Sequence, residues 1–335
     1  MEYRFGEITV ACTHIDRVMF PADGITKGEV IAYYHDIAGA MMPELTGRPL
    51  SVVRYPKGVL EPSPSTDAAA TSNARGRSRD NGAGGFFQKH FQKHFPAWLD
   101  HVIAGKTAVD YPIVDTPAGL VYMANQGSIE LHVWTSRKDA VDRPDLLVFD
   151  LDPPDGRFDL VRRTALLLRE LLTQLDLPAF VKTTGSKGLH VVVPLDDTAA
   201  FDEVGALGTR IGALLCRRHP DILTMELYKK DRKGRLFMDI TRNAIGATVI
   251  APYSLRGRRG APVSAPLAWS EIDDPALCAD GIQLRDARAR LDRLGDPWHD
   301  LRKVSGSIAG AMRSLDQLDP EPPRQRRTNA PAGSR

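Results

Sequence analysis

Two carboxylates one residue apart, Asp150 and Asp152, close the apolar run Leu146-Leu147-Val148-Phe149-Asp150-Leu151-Asp152, and Pro153 and Pro154 forbid its continuation. A run this short and apolar, stopped by proline, predicts a buried strand of a mixed sheet. Side chains alternate across a strand, so both carboxylates share one face. Like charges that close repel unless a cation lies between them, and an oxygen-only donor set favours Mg²⁺ or Mn²⁺. An Asp pair that caps the following turn is the plainer reading, and the pair alone does not decide. Asp239 adds weight. It interrupts the apolar run Leu236-Phe237-Met238-Asp239-Ile240, where an unpaired buried carboxylate costs on the order of several kcal/mol. A metal shared with Asp150 and Asp152 would remove that penalty.

Phosphate chemistry is suggested by a second stretch, Thr183-Thr184-Gly185-Ser186-Lys187-Gly188-Leu189-His190, which combines hydroxyls, a lysine and glycines that leave backbone N–H groups open. It is not a Walker A loop, because the G-x-x-x-x-G-K-[ST] spacing is missing and a strand follows in place of a helix. The densest short positive cluster is Arg256-Gly257-Arg258-Arg259. Arg17 and Lys27 flank the loop before a predicted helix, whose N-terminus favours an anion over a cation. On those residues alone, Lys27 reads as a solvated surface lysine. Phe86 and Phe87 precede Lys89 and His90, and adjacent strand residues point to opposite faces. One ring then suits the core and the other is presented outward, where it can stack on a base, and core packing is the plainer reading of either ring. His132 falls on the polar face of Ser128–Trp134 with Ser128, Glu130 and Trp134.

The elements that must hold these residues follow from periodicity. Strands are predicted over 6–12, 49–55, 128–134, 146–152, 179–182 and 191–194, and helices from Lys27 to about Met42 with Thr26 as N-cap, from Leu160 to Leu175 and from Asp202 to Arg217. Met225–Tyr228 and Arg235–Ile240 read as two strands of a hairpin around the charged turn Asp231-Arg232-Lys233-Gly234. Helices are expected near 283–293 and 297–303. Residues 60–85 lack an apolar period and read as a disordered insertion, and a flexible tail is expected from about Gly306.

Composition narrows the classes. The 335 residues can bury a large core as one domain or two, and 42% apolar with 26% charged residues is ordinary for a globular protein. The net charge is only +2, so a nucleic-acid role needs locally gathered basic groups. Cys12, Cys216 and Cys278 are far apart, which argues against a zinc site or disulfide framework and fits a reducing compartment. The chain lacks an apolar run long enough for a membrane span and has no apolar signal core at its start, so a cytoplasmic protein without a membrane partner is expected.

Taken in order, these motifs resemble the polymerase domain of bacterial DNA ligase D, in the archaeo-eukaryotic primase superfamily. The resemblance runs from about residue 8 to 303 and is carried by Val148-Phe149-Asp150-Leu151-Asp152-Pro153, Gly185-Ser186-Lys187-Gly188-Leu189-His190, Asp239-Ile240-Thr241-Arg242-Asn243 and Ala251-Pro252-Tyr253-Ser254-Leu255-Arg256. Glu130-Leu131-His132-Val133-Trp134, Gly85-Phe86-Phe87-Gln88-Lys89-His90 and Gly295-Asp296-Pro297-Trp298 are weaker matches. It implies an α/β (α+β) fold whose primase-type core, an RRM-like mixed sheet flanked by helices, follows a β-α-β-β-α-β-β order over roughly 125–260. An N-terminal lobe over 1–124, a catalytic core with C-terminal helices over 125–304 and a tail over 305–335 complete it.

The resemblance also implies roles. Asp150, Asp152 and Asp239 would hold two Mn²⁺ or Mg²⁺ ions, which in such sites lie roughly 3.5–4 Å apart. Thr184, Ser186, Lys187 and His190 would hold the triphosphate of an incoming nucleotide (NTP or dNTP), with His132 and Arg256 as further nucleotide contacts. Phe86 and Phe87 would stack on template, Arg17 and Lys27 would hold a downstream 5′-phosphate, and Arg54 belongs to the same DNA-binding set. Thr184 replaces the commoner Ser and Arg17 the commoner Lys, with hydroxyl and charge kept. The expected activity is template-dependent polymerisation that fills gaps and extends ends in non-homologous end joining, favouring ribonucleotides, near the bacterial nucleoid. Without a ligase signature in the sequence, Ku and a DNA ligase are expected as separate partners. Two alternatives stand beside it: a haloacid-dehalogenase-like phosphatase, imitated by Asp150, Asp152, Thr183 and Lys187 without a late acidic motif, and a non-catalytic DNA-end bridging module.

Overall fold

A computed structural model describes residues 1–60, 84–154 and 156–320. Most of the expected insertion, 61–83, and the end of the expected tail, 321–335, lie outside the described residues. The chain opens with an antiparallel hairpin, Glu2–Phe5 and Ile8–Ala11, where a single strand over 6–12 is predicted. Gly6 (φ 60°) makes its turn. The first helix runs Lys27–Leu45. Its N-cap Thr26 accepts from the Glu29 backbone N–H, and the Glu29 carboxylate returns a bond to the Thr26 N–H. Val30, Tyr33, Tyr34, Ile37, Ala38 and Met41 form its buried side, as their spacing predicts.

Two sheets carry the site. The larger has six strands in the order Leu223–Thr224, Leu236–Asp239, Leu146–Asp152, Leu189–Pro194, Phe180–Thr183 and Pro266–Leu267. All its pairings are antiparallel except the first. The helices Phe158–Gln174 and Phe201–Arg218 cover one face, where Leu147, Phe149 and Leu151 meet Leu168, Leu171, Leu207 and Ile211 in one buried cluster. The alternate residues Leu146 and Val148 face away and join a second core with Val52, Leu131 and Val249. Those three lie in the four-stranded sheet, ordered Val249–Ile250, Ser128–Val133, Leu50–Arg54 and Phe86–Gln88. Asp150 and Asp152 therefore point toward the space between the two sheets.

Two expectations are corrected. Met225–Ile240 is not a hairpin: Leu223–Thr224 lies parallel to Leu236–Asp239. A parallel partner cannot be reached by a tight turn, so the chain doubles back through a short helix, Lys229–Arg232, and left-handed Lys233 and Gly234. The segment after Gly306 is not all tail. Ser307 caps a helix over Ile308–Leu318 whose Ile308, Ala311 and Leu315 pack on the same core as the helix Phe201–Arg218. Arg210 reaches Asp316 at 2.7 Å across that contact. The Pro/Arg composition that signals a tail begins only at Pro320.

Candidate active site

The site begins as a row across the larger sheet. In the strand register Asp239 lies beside Asp150, Asp150 beside His190, and His190 beside Lys182. Direct cross-strand neighbours share a face, so two carboxylates, an imidazole and an ammonium follow one another along the sheet floor. His190 Nε2 lies 3.4 Å from Asp150 Oδ1. Lys182, only 2% exposed, donates to the Ser264 hydroxyl at 2.6 Å. The strand Leu146–Asp152 is itself pinned by Asn243, whose amide accepts from the Val148 N–H (2.7 Å) and donates to the Val148 carbonyl (2.8 Å). Asn243 thus continues the ladder where the pairing with Leu236–Asp239 has ended.

The charges in this row perturb one another. Burial alone would raise the Asp150 carboxyl, but His190, Arg242 and Lys182 hold it below its ordinary value. Asp152 goes the other way: burial and the neighbouring Asp150 raise it. Burial also pushes Lys182 down to about 7 and His190 down to about 4. Asp239, expected to need a cation, accepts from the Thr241 N–H and hydroxyl at 2.8 and 2.6 Å. The Arg242 guanidinium lies across the acidic patch, 3.3 Å from Asp150 and 3.6 Å from Asp239. Among the described residues no group of three His, Cys, Asp or Glu side chains is drawn into ligating geometry. The donor set nonetheless fits a divalent ion. Three hard carboxylates face one space, and a cation there would offset both the burial and the repulsion from Asp150 that raise Asp152.

The Thr183–His190 turn closes over the Asp strand. A Cβ at Gly188 would stand 2.0 Å from the Leu151 carbonyl, so only glycine lets the turn approach between the two carboxylates. The Thr184 hydroxyl accepts from the Gly188 N–H (3.2 Å) and lies 3.1 Å from its carbonyl, which makes it a brace of the turn. Ser186 is half-buried and Lys187 exposed at the tip.

The facing sheet brings the remaining expected residues. His132 Nε2 lies 3.1 Å from Glu130 Oε2, and Arg256 reaches the same oxygen at 3.5 Å. Burial lowers His132 below its ordinary value, against the opposing pull of Glu130. Neither Phe86 nor Phe87 is buried, so the expected core ring is absent from this edge strand. Phe87, 39% exposed, stands on the face of His132 with ring centroids 5.9 Å apart. Arg54 lies over Phe86 at 5.8 Å, its guanidinium held by the Gln126 carbonyl and Gln88.

The description of the LigD primase-polymerase domain matches residues 26–298. The chain belongs to that family. A multifunctional non-homologous end joining protein LigD from Mycolicibacterium smegmatis is 35% identical over 292 residues, covering 86% of this chain and 35% of that protein. The protein of the same description from Pseudomonas aeruginosa is 32% identical over 312 residues, covering 91% and 34% respectively. This chain thus spans about a third of the length of these relatives. Among solved structures, the polymerase domain of Mycobacterium tuberculosis ligase D in complex with DNA has a TM-score of 0.77 at 32% identity, over 88% of this chain and 99% of that one. The mixed α/β fold is shared, and membership removes the ground for the phosphatase alternative.

In this primase-polymerase domain Arg17 and Lys27 meet at the start of the first helix, where the Lys27 N–H donates to the Arg17 carbonyl at 2.8 Å. Lys27 is not the solvated lysine its position suggests. It is buried, with Nζ donating to the Thr13 carbonyl (2.7 Å) and to Asn125 (2.8 Å). Arg17 is exposed and donates to the Pro56 carbonyl at 2.7 Å. The motifs by themselves assign no role to Lys182, Arg242, Asn243 or Glu130. Lys182 carried the same signal as Asp239, a charge inside an apolar strand. Arg242 and Asn243 follow Asp239 in the motif, but their partners lie about ninety residues away.

Proposed function

We propose that the chain is a template-dependent nucleotidyltransferase that extends primer 3′ ends at gaps and double-strand breaks in non-homologous end joining, with a preference for ribonucleotides. The observation that carries this reading is the cross-strand pair Asp150–Asp239 with Asp152 on the same face, beside a glycine turn suited to phosphates. Two divalent ions, Mn²⁺ or Mg²⁺, held by Asp150, Asp152 and Asp239 would activate the primer 3′-hydroxyl and stabilise the departing pyrophosphate. Ser186, Lys187 and the N–H groups of their turn bind the triphosphate, braced by Thr184. Buried His190 lies against Asp150, and His132 from the opposite sheet and Arg256 from the segment after Val249–Ile250 contact the nucleotide. Arg242, whose charge lies against Asp150 and Asp239, balances the patch until the ions arrive.

Phe86, Phe87 and Arg54 take the template, and Arg17 and Lys27 the downstream 5′-phosphate. In this reading residues 1–124 supply DNA contacts and 125–304 the chemistry. The DNA in the M. tuberculosis neighbour supports DNA as the partner, and the relatives' role in end joining supports Ku and a ligase as co-workers in the bacterial cytoplasm at the nucleoid.

The test is primer extension on a gapped duplex with a downstream 5′-phosphate, with Mn²⁺ or Mg²⁺ and with ribo- or deoxyribonucleotides. Template-matched addition by the parent, lost in Asp150→Ala and Asp239→Ala, is the expected result. DNA binding without addition under every metal would favour the bridging module, and addition that survives both substitutions would displace the metal site.

A further inference from the structure

We propose that Glu130 is a positioning residue that sets both nucleotide contacts, His132 and Arg256, and couples them to the strand that stacks on template. The proposal rests on the nucleotide and template roles given above. Glu130 is 5% exposed on the strand Ser128–Val133, two residues from His132 and therefore on its face. Four donors converge on its carboxylate: His132 Nε2 at 3.1 Å, the Tyr55 hydroxyl at 3.1 Å, the Gly257 N–H at 3.0 Å and Arg256 at 3.5 Å. Burial alone would raise such a carboxyl, yet His132 and Arg256 hold it ionised, down to about 2. A carboxylate has about four lone-pair sites; three take hydrogen bonds from His132, Tyr55 and Gly257, and the Arg256 ion pair lies against the same oxygen as His132. Since a carboxylate only accepts, His132 bears its proton on Nε2 and offers Nδ1 as an acceptor.

The link to the template runs through Tyr55. Its ring is wedged between two glycines. A Cβ at Gly85 would come within 2.5 Å of it, and one at Gly257 within 2.1 Å of its hydroxyl. Gly85 leads directly into the strand Phe86–Gln88, and Gly257 follows Arg256. Phe87 in turn touches the His132 ring. A shift of the stacking strand therefore reaches Glu130 through Tyr55 and reaches His132 through Phe87, and no other described carboxylate bonds to both nucleotide contacts.

Parent, Glu130→Gln and Tyr55→Phe are compared in two measurements. The first is nucleotide KM and kcat on the gapped duplex. The second is the ¹⁵N shifts of the His132 ring in the full chain without nucleotide. Glu130→Gln sets an amide donor against one of the four converging donors. It is expected to raise KM about tenfold with kcat within about twofold, and to give mixed His132 tautomers. Tyr55→Phe, which removes a single donor, is expected to raise KM about threefold with the tautomer kept. A folded Glu130→Gln with unchanged KM and tautomer overturns the proposal. If that variant does not fold, an unchanged KM in Tyr55→Phe overturns it. If the parent adds no nucleotide, the polymerase reading falls separately, and a parent His132 protonated on Nδ1 overturns the hold assigned to Glu130.

Discussion

At the scale of single residues, the site depends on side chains that act as backbone. Asn243 replaces a missing strand partner for Val148, two residues before Asp150. Its truncation leaves a buried N–H and a buried carbonyl unpaired, at about 1–3 kcal/mol each. Asn243→Ala is therefore expected to lose roughly 2–6 kcal/mol of stability, read from the denaturant midpoint. A midpoint equal to the parent's would mean the Asn243 bonds add nothing to the strand. None of this was legible in Asp239-Ile240-Thr241-Arg242-Asn243 by itself. The motif marks the residues as a group, but Asn243 and Arg242 have partners on a strand far back in the chain.

At the scale of elements, the decisive contact is the Gly-rich turn on the carboxylate strand. The sequence predicted strand, turn and strand there because apolar runs flank a cluster of glycine, serine and threonine. It did not predict that Gly188 touches the Leu151 carbonyl, since that depends on the antiparallel register of the two strands. Gly188→Ala should push the turn off the Asp strand, because the added methyl would stand 2.0 Å from the Leu151 carbonyl oxygen, a backbone atom that a side-chain rotation cannot move aside. We expect nucleotide KM to rise at least about tenfold while DNA affinity stays within about twofold, measured by primer extension and by DNA titration. Equal losses in both would mean the whole sheet is disturbed. The false hairpin over Met225–Ile240 belongs to the same scale. Alternation and a charged turn describe the segment equally well whether its strands pair with each other or run parallel.

Across the whole molecule, one charged cluster ties distant parts together. Asp145 pairs with buried Arg48 at 2.7 Å, with Arg137 at 3.0 Å and with Arg302 at 2.8 Å, and Arg302 also pairs with Glu44. The loop after the first helix, the start of the Asp strand and the C-terminal region thus meet at one carboxylate. Burial would raise Asp145, but the arginines hold it down at about 2 against an ordinary 3.8. A carboxyl depressed in the folded state stabilises above its unfolded value, and that contribution is lost as the pH falls through the folded one. At ~1.4 kcal/mol per pH unit the contribution is about 2 kcal/mol. Thermal midpoints from pH 6 to 2 should fall more steeply between about pH 4 and 2 in the parent than in Asp145→Asn. Parallel curves would remove Asp145 from the account.

The sequence by itself determined the carboxylate strand, the shared face of Asp150 and Asp152, the capped first helix, the two helices behind the sheet and the family. Each of these follows from local period, local punctuation or motif order. Only the tertiary structure decided that Asp239, Asp150, His190 and Lys182 form one row, that Lys27 is buried, and that Glu130 gathers Tyr55, His132, Arg256 and Gly257. It also turned part of the expected tail into a packed helix. The physical reason is the same in each case: register and burial are set by the partner strand or helix, and those partners lie tens to hundreds of residues away.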